Sequence, residues 1–204
     1  MIDITAGYLA QALEASALSF ADGELAYLAL TSKVQLPLRD RLAWSLATQL
    51  PGLVVARGWK RTDIAILDPS ALPLALVEAK ALYTFDVATP DRANVSEYAR
   101  MVKDDMAKAS ALLGGRPGQV FALVLVTHPM DAPPAVLKDV FKYPGIRTAF
   151  NRSTEQEIRA GAKANLSAAL EPLGPAVHGS LDGGSAFGVR VVVDYTIVGP
   201  VAVS

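Results

Sequence analysis

The stretch LALVEAKALY, residues 74–83, decides the fold assignment, because it has the composition of a strand yet carries an acid and a base in its middle. Side chains alternate along a strand, so Glu78 and Lys80 point to the same face of a sheet. A buried acid and a buried base are costly unless each is paired or bound to something. The apolar residues on both sides favour a binding site, and a solvated strand end or a simple salt bridge is the alternative.

The bulk composition narrows the chemistry that such a site could perform. The 204 residues are 51% hydrophobic, and 19 Lys and Arg offset 20 Asp and Glu, so the chain lacks the basic excess of many nucleic-acid binders. A local basic patch remains compatible with this neutral total. The absence of cysteine excludes thiolate sites, and two histidines do not favour zinc. Any metal is therefore expected to be held by carboxylates, as Mg²⁺, Mn²⁺ and Ca²⁺ are.

The pattern of apolar residues predicts alternating helices and strands. The N-terminus lacks a basic segment followed by an apolar core, and no apolar run is long enough to span a membrane, so we expect a cytoplasmic protein without a membrane contact. Helices are predicted at 5–17, 22–31 with Asp22 as N-cap, 36–50, 94–113, 133–142 and 153–174. Strands are predicted at 53–59, 61–67, 74–83, 119–128 and 189–203, with loops at 84–93 and 181–188. This order predicts an α/β fold with a mixed central sheet flanked by helices.

A second acid belongs with the pair in residues 74–83. Asp63 opens the preceding predicted strand, and the turn at 68–73 makes the two strands neighbours. Asp63 and Glu78 can then converge at one end of the sheet and share a hard divalent cation. Lys80 would lie beside them, where its ammonium could orient a metal-bound water or stabilise charge on a phosphate.

These residues resemble the PD-(D/E)XK nuclease superfamily, which has the restriction-endonuclease-like fold. The resemblance rests on Asp63, then Glu78-x-Lys80 on an apolar strand, with a helix before and a helix after, and it covers residues 35–128. It implies that Asp63 and Glu78 are metal ligands for Mg²⁺ or Mn²⁺ and that Lys80 is the catalytic lysine. Thr62 stands where the family name has a proline.

One departure from the family pattern bears on activity. Many members place an acid on the helix before the hairpin, and here the candidate ligand is Asp40, with Gln35 as the alternative. Neither is the usual glutamate, and Asp40 could also be an ordinary surface acid. A weakened second metal position implies either one-metal chemistry or an inactive descendant of the family.

The resemblance therefore implies a metal-dependent endo- or exonuclease that hydrolyses phosphodiester bonds, with DNA as the expected partner. A homodimer or an accessory protein is a further expectation. An inactive nuclease-fold protein that acts as a binding or structural module is the alternative, and an unrelated α/β enzyme is a third. The chain is treated as a single domain of residues 1–204, with a helical segment at 1–34, a nuclease-like core at 35–128 and a helix and strand extension at 129–204.

Several other polar residues have no assigned role from the sequence. A basic cluster near the hairpin turn could meet phosphates or form a solvated turn, and it comprises Arg57, Lys60 and Arg61. The helix after the strand offers four polar candidates, Glu97, Tyr98, Lys103 and Asp104. His128 is expected in the core or at a cap, and His178 in a loop.

Overall fold

One mixed, curled sheet organises the chain in a computed structural model that describes residues 4–88, 92–141 and 145–203. Its six strands lie in the order β1-β2-β3-β4-β6-β5. They are β1 (Val54–Arg57), β2 (Ile64–Leu67), β3 (Pro73–Tyr83), β4 (Gly118–Pro129), β5 (Ala176–Ala186) and β6 (Val189–Val203). Strands β3 and β4 run parallel, and the other pairings described are antiparallel. The predicted mixed sheet flanked by helices is confirmed.

Seven α-helices are described around this sheet. They are α1 (Ala6–Ala17), α2 (Glu24–Thr31), α3 (Gln35–Gln49), α4 (Thr84–Val87), α5 (Arg92–Leu113), α6 (Gly145–Phe150) and α7 (Glu155–Leu170). Short 3₁₀ turns lie at Trp59–Arg61, Ala135–Leu137 and Glu171–Leu173. None of the helices in the described ranges is long and apolar enough to cross a membrane.

The sheet has a hydrophobic core on each face, and the alternation of β3 assigns the two faces. Val77 and Ala79 belong to the core under α1, α2 and α3, whereas Leu76 and Leu82 belong to the core under α5 and α7. Positions 78 and 80 lie between Leu76 and Leu82 on the same side of the strand. The acid and the base therefore face α5 rather than α3.

The connection from β3 to β4 places α5 over the site. Parallel neighbours require a crossover, and the crossover here contains α5, which packs on both β3 and β4. Strand β4 is buried along nearly its whole length and lies between β3 and β6, as its apolar sequence predicted.

The predicted loop at 181–188 is wrong, because β5 extends through Ala186 and pairs with β6. The structure explains why glycines occur inside this strand. Gly179 lies opposite Tyr195, whose ring occupies the space that a Cβ would need. Gly184 has a φ of +73° where the register shifts between Asp182 and Ser185, so it forms a bulge. Glycine therefore marks close approach and a bulge here rather than the end of the sheet.

Three helix boundaries also differ from prediction. The N-cap of α2 is Gly23 rather than Asp22, since its backbone is left-handed and a Cβ there would lie 2.6 Å from the carbonyl oxygen of Ser185. The predicted polar loop at 84–93 begins with the short helix α4, and its residues 89–91 lie outside the described residues. The predicted 133–142 helix is a single 3₁₀ turn in its described part, and residue 142 lies outside it.

Candidate metal and phosphate site

The candidate site is built where β2 and β3 stop pairing. Their ladder ends at Ile64 and Val77, and the Asp63 side chain continues the contact between them. Asp63 Oδ2 accepts a hydrogen bond from the backbone N–H of Ala79 at 2.9 Å. This bond fixes the Asp63 carboxylate against the strand that carries the acid and the base.

Glu78 lies beside Asp63 in a half-buried position on the α5 face. The pKa of Glu78 is raised to about 7, chiefly by burial and then by the charges of Asp63 and Asp105, while the backbone N–H of Asp63 and the charge of Lys80 act in the opposite direction. Like charges that approach in a partly desolvated place raise one another's pKa. Asp63 therefore acts on Glu78 in two ways, through the charge of its side chain and through its backbone N–H.

Lys80 is held by a residue of the overlying helix. Its Nζ lies 2.6 Å from Asp105 Oδ2, and Lys108 Nζ lies 3.2 Å from the other oxygen of that carboxylate. Burial alone would raise the pKa of Asp105, but the hydrogen bonds and charges of the two lysines lower it below its ordinary value. Asp105 is therefore ionised at neutral pH and positions the Lys80 ammonium.

Asp105 was not among the residues predicted from the sequence, which instead drew attention to its neighbour Asp104. Asp104 pairs with Arg100 one turn earlier on the same helix, 2.8 Å away and exposed. Asp105 lies on the inward face of α5, close in helical position to the buried Val102 and Met106. Helical periodicity alone carried the signal that Asp105, and not Asp104, faces the sheet.

A guanidinium separates Asp63 from the acid on α3. Arg39 contacts Asp63 Oδ1 at 3.3 Å and Asp40 Oδ1 at 2.7 Å, while the other oxygen of Asp40 lies 2.6 Å from Arg57. The structure therefore brings Asp40 to two arginines rather than directly to Asp63. Gln35, the alternative position, reaches Asp63 Oδ2 at 3.4 Å.

The donor set suits one hard cation better than two. In the described ranges no three side chains of His, Asp or Glu are arranged to hold a metal. Asp63, directly before β2, and Glu78 of β3 are the two carboxylates that could contribute to a shell for Mg²⁺ or Mn²⁺, which water oxygens would have to complete. Burial, and after it the charges of Asp63 and Asp105, raise the pKa of Glu78, and a cation bound beside it would favour the ionised carboxylate. Asp40 adds nothing to this set while Arg39 and Arg57 hold it.

The two histidines lie away from these carboxylates. His128 is fully buried, with Nδ1 3.0 Å from Thr84 Oγ1 and Nε2 2.8 Å from Glu155 Oε1, and burial lowers its pKa. It links the end of β4 to α4 and α7, which agrees with the core role expected for it. His178 lies on β5 rather than in a loop, with Nδ1 3.0 Å from Thr196 Oγ1.

A comparison of the chain with models of protein families, with curated proteins and with solved structures finds no match in any of the three. Function must therefore be argued from the residues themselves.

Proposed function

We propose that this protein is a metal-dependent nuclease that hydrolyses phosphodiester bonds, with DNA as the first substrate to test. One observation carries the proposal: the Asp63 carboxylate accepts the N–H of Ala79, the residue between Glu78 and Lys80, and these two side chains share one face of β3. Two carboxylates beside an ammonium suit hydrolysis of a phosphodiester, because they offer a cation site and a positive group for the developing charge.

The order of elements supports the same proposal. A helix, α3, precedes the antiparallel strands β1, β2 and β3, and the crossover through α5 then leads to the parallel β4. This succession is what the restriction-endonuclease-like fold implies for residues 35–128. Strands β6 and β5 extend the sheet beyond it.

Each residue of the site has a distinct role in the proposed reaction. Asp63 and Glu78 would hold one divalent cation, which when bound supplies a Lewis acid and a more acidic water. Asp63 is held in place by the Ala79 N–H, so its geometry is set before any ligand arrives. Lys80 supplies positive charge to the phosphate, and Asp105 positions it. Asp40 has no role in this single-cation arrangement.

The proposal extends to partner and location. Because the net charge is −1, affinity for a nucleic-acid strand would have to come from local basic residues or from a second protein. That second protein would be an accessory chain or another copy of this one. A cytoplasmic location belongs to the same proposal.

The test is a cleavage assay with Mn²⁺ and Mg²⁺ on single-stranded DNA, double-stranded DNA and RNA. We expect cleavage of at least one substrate, a loss of about 100-fold or more in Lys80→Ala, and a similar loss in Asp63→Asn. Calorimetry with Mn²⁺ should show one site that Asp63→Asn removes. Wild type that is inert on all three substrates and takes up no Mn²⁺ would refute the nuclease.

A second candidate function has its own observation. Arg39 already places a positive charge on Asp63 Oδ1, which is the position a cation would neutralise. A nuclease-fold protein that has replaced its metal by an arginine would bind or organise nucleic acid without cutting it. Strand binding by wild type that is unchanged by Mn²⁺, without cleavage, would select this candidate.

A further inference from the structure

A surface cavity of about 350 Å³ opens next to Glu78, between the 3₁₀ turn after β1 and the second half of α5. Its polar lining comprises Lys60, Arg61, Thr62, Glu78, Asp105 and Lys108. The cavity is more than large enough for one water, and it falls in the size range of small-ligand sites. Because Glu78 belongs to its wall, the cavity is continuous with the candidate cation site.

Thr62 gives the first sign that this cavity has a ligand. The residue is 1% exposed, and its Oγ1 has no hydrogen-bond partner within the described part of the chain. A buried hydroxyl without a partner costs about 1–3 kcal/mol. Thr62 directly precedes Asp63, so an acceptor bound at Thr62 would lie one residue from the proposed metal ligand.

Positive charge around the cavity gives the second sign. Lys108 is exposed at the cavity, and Lys60 and Arg61 are exposed on its opposite side. Among residues 4–88, 92–141 and 145–203, neither Lys60 nor Arg61 forms an ion pair with a carboxylate. Lys60 instead lies over the Trp59 ring at 4.6 Å. Of the two acids in the lining, Asp105 is paired with Lys80 and Lys108, so the charges of Lys60 and Arg61 are left to favour an anionic ligand.

Lys60 and Arg61 are held at the cavity by a strained backbone conformation. Lys60 and Arg61 have φ values of 49° and 71°, in the left-handed region that favours glycine. Hydrogen bonds fix the turn, from Gly58 N–H to the Asp63 carbonyl at 3.2 Å and from Thr62 N–H to the Trp59 carbonyl at 2.9 Å. Strained residues that carry charge at the edge of a cavity are typical of ligand sites.

We propose that this cavity is a subsite for a phosphodiester group of a nucleic-acid strand, next to the group that is cleaved. Thr62 Oγ1–H donates to a non-bridging phosphate oxygen, and Lys60, Arg61 and Lys108 supply the charge. The subsite rests on the proposed nuclease function for its position in the reaction, but strand binding at it does not require cleavage.

The test measures the binding of a short fluorescein-labelled oligothymidylate by fluorescence anisotropy. The measurement is made without divalent metal and over a series of salt concentrations. We expect Thr62→Val to weaken binding by about tenfold, because it removes one hydrogen bond to a charged group while keeping the shape. Lys108→Ala should lower the salt slope by about 1. Lys103→Ala, an exposed lysine on the same helix outside the cavity, is the matched control and should change neither quantity.

Thermal melting separates a lost ligand contact from a damaged fold. Thr62→Val should melt at or above the wild-type temperature, because the hydroxyl it removes has no partner. Thr84→Val is the contrasting variant, since Thr84 is equally buried but bonds to His128, and it should melt lower. Thr62→Val that melts lower and binds the strand as wild type does would overturn the subsite.

A parallel titration with inorganic phosphate identifies the source of the anion. A Thr62-dependent response to phosphate, with strand binding independent of Thr62, would overturn the strand assignment in favour of free phosphate. Cleavage by wild type and Thr62→Val alike, with equal strand affinity, refutes the subsite and leaves the nuclease. An inert wild type that takes up no Mn²⁺, but whose strand binding depends on Thr62 and Lys108, refutes the nuclease and supports the subsite.

Discussion

Lys80 of β3 and Asp105 of α5 form an ion pair of 2.6 Å on the face of the sheet where Glu78 is half-buried. The pair joins the strand that carries the proposed chemistry to the helix that covers it. Lys108 shares the same carboxylate at 3.2 Å, so Asp105 connects the proposed catalytic lysine to the proposed phosphate subsite.

Asp105→Asn should lower the cleavage rate at saturating substrate by about tenfold, because the amide no longer holds the Lys80 ammonium by charge. Single-turnover cleavage at saturating substrate measures this. Asp104→Asn is the matched control, since Asp104 is adjacent in sequence but pairs with Arg100 at the surface. Equal losses in the two variants would remove the positioning role of Asp105.

Glu78→Gln should change how stability depends on pH. The pKa of Glu78 is about 7 in the fold and about 4.3 in an unfolded chain, so the folded state binds this proton more tightly. Its contribution is therefore complete below about pH 4 and is lost as the pH rises through 7. Because the side chain is only half-buried, we expect the wild type to lose about 1 kcal/mol relative to Glu78→Gln between about pH 5.5 and about pH 8.5.

Urea unfolding at both pH values, without divalent metal, measures this difference. Glu97→Gln, an exposed glutamate on α5, serves as the control and should follow the wild type. A wild-type profile parallel to that of Glu78→Gln would contradict the raised pKa.

Arg39→Gln should tighten Mn²⁺ binding by several-fold, because Arg39 competes with a cation for Asp63 Oδ1. Asp40 keeps Arg57 as its partner, so the substitution leaves no unpaired acid on α3. Calorimetry with Mn²⁺ measures the change. Arg41→Gln on the same helix, where Arg41 pairs with Glu24, is the control, and weaker Mn²⁺ binding in Arg39→Gln would refute the competition.

Arg61→Gly should raise the free energy of unfolding by about 0.5 kcal/mol while weakening strand binding, because it relieves a left-handed backbone but removes a charge. Ala71→Gly is the matched variant, since Ala71 has a φ of 61° in the turn between β2 and β3. It should gain stability without altering strand affinity. Denaturation and anisotropy together distinguish the two outcomes.

The strands near the site were predictable because their sequence patterns are local. The alternation in residues 74–83 predicted both β3 and the common face of Glu78 and Lys80, and the apolar run at 119–128 predicted a central strand. Strand β5 was missed because its glycines indicated a loop, whereas Gly179 makes room for the ring of Tyr195 on the partner strand and Gly184 lies in a bulge of β5, and neither is visible without the pairing.

The site itself was predictable to the extent that its members lie on those strands. The apolar positions Val102 and Met106 indicate that Asp105 lies on the inward side of α5, but only tertiary packing shows that Lys80 lies opposite it. Arg39 was missed because nothing local to α3 indicates that its guanidinium joins Asp40 to Asp63 across 24 residues of sequence. The orphan hydroxyl of Thr62 is likewise visible only when its surroundings are known.

The two N-terminal helices pack on the same face of the sheet as α3, over β5 and β6. Tyr83, the last residue of β3, donates its hydroxyl hydrogen bond to the Ala29 carbonyl at 2.6 Å, and the Ser32 carbonyl lies 3.1 Å away. A shortened gene product that began at α3 would uncover the apolar residues Val191 and Val193 and deprive Tyr83 of both acceptors. Such a fragment should aggregate, so trimming for expression would have to spare the first two helices even though the proposed chemistry lies elsewhere.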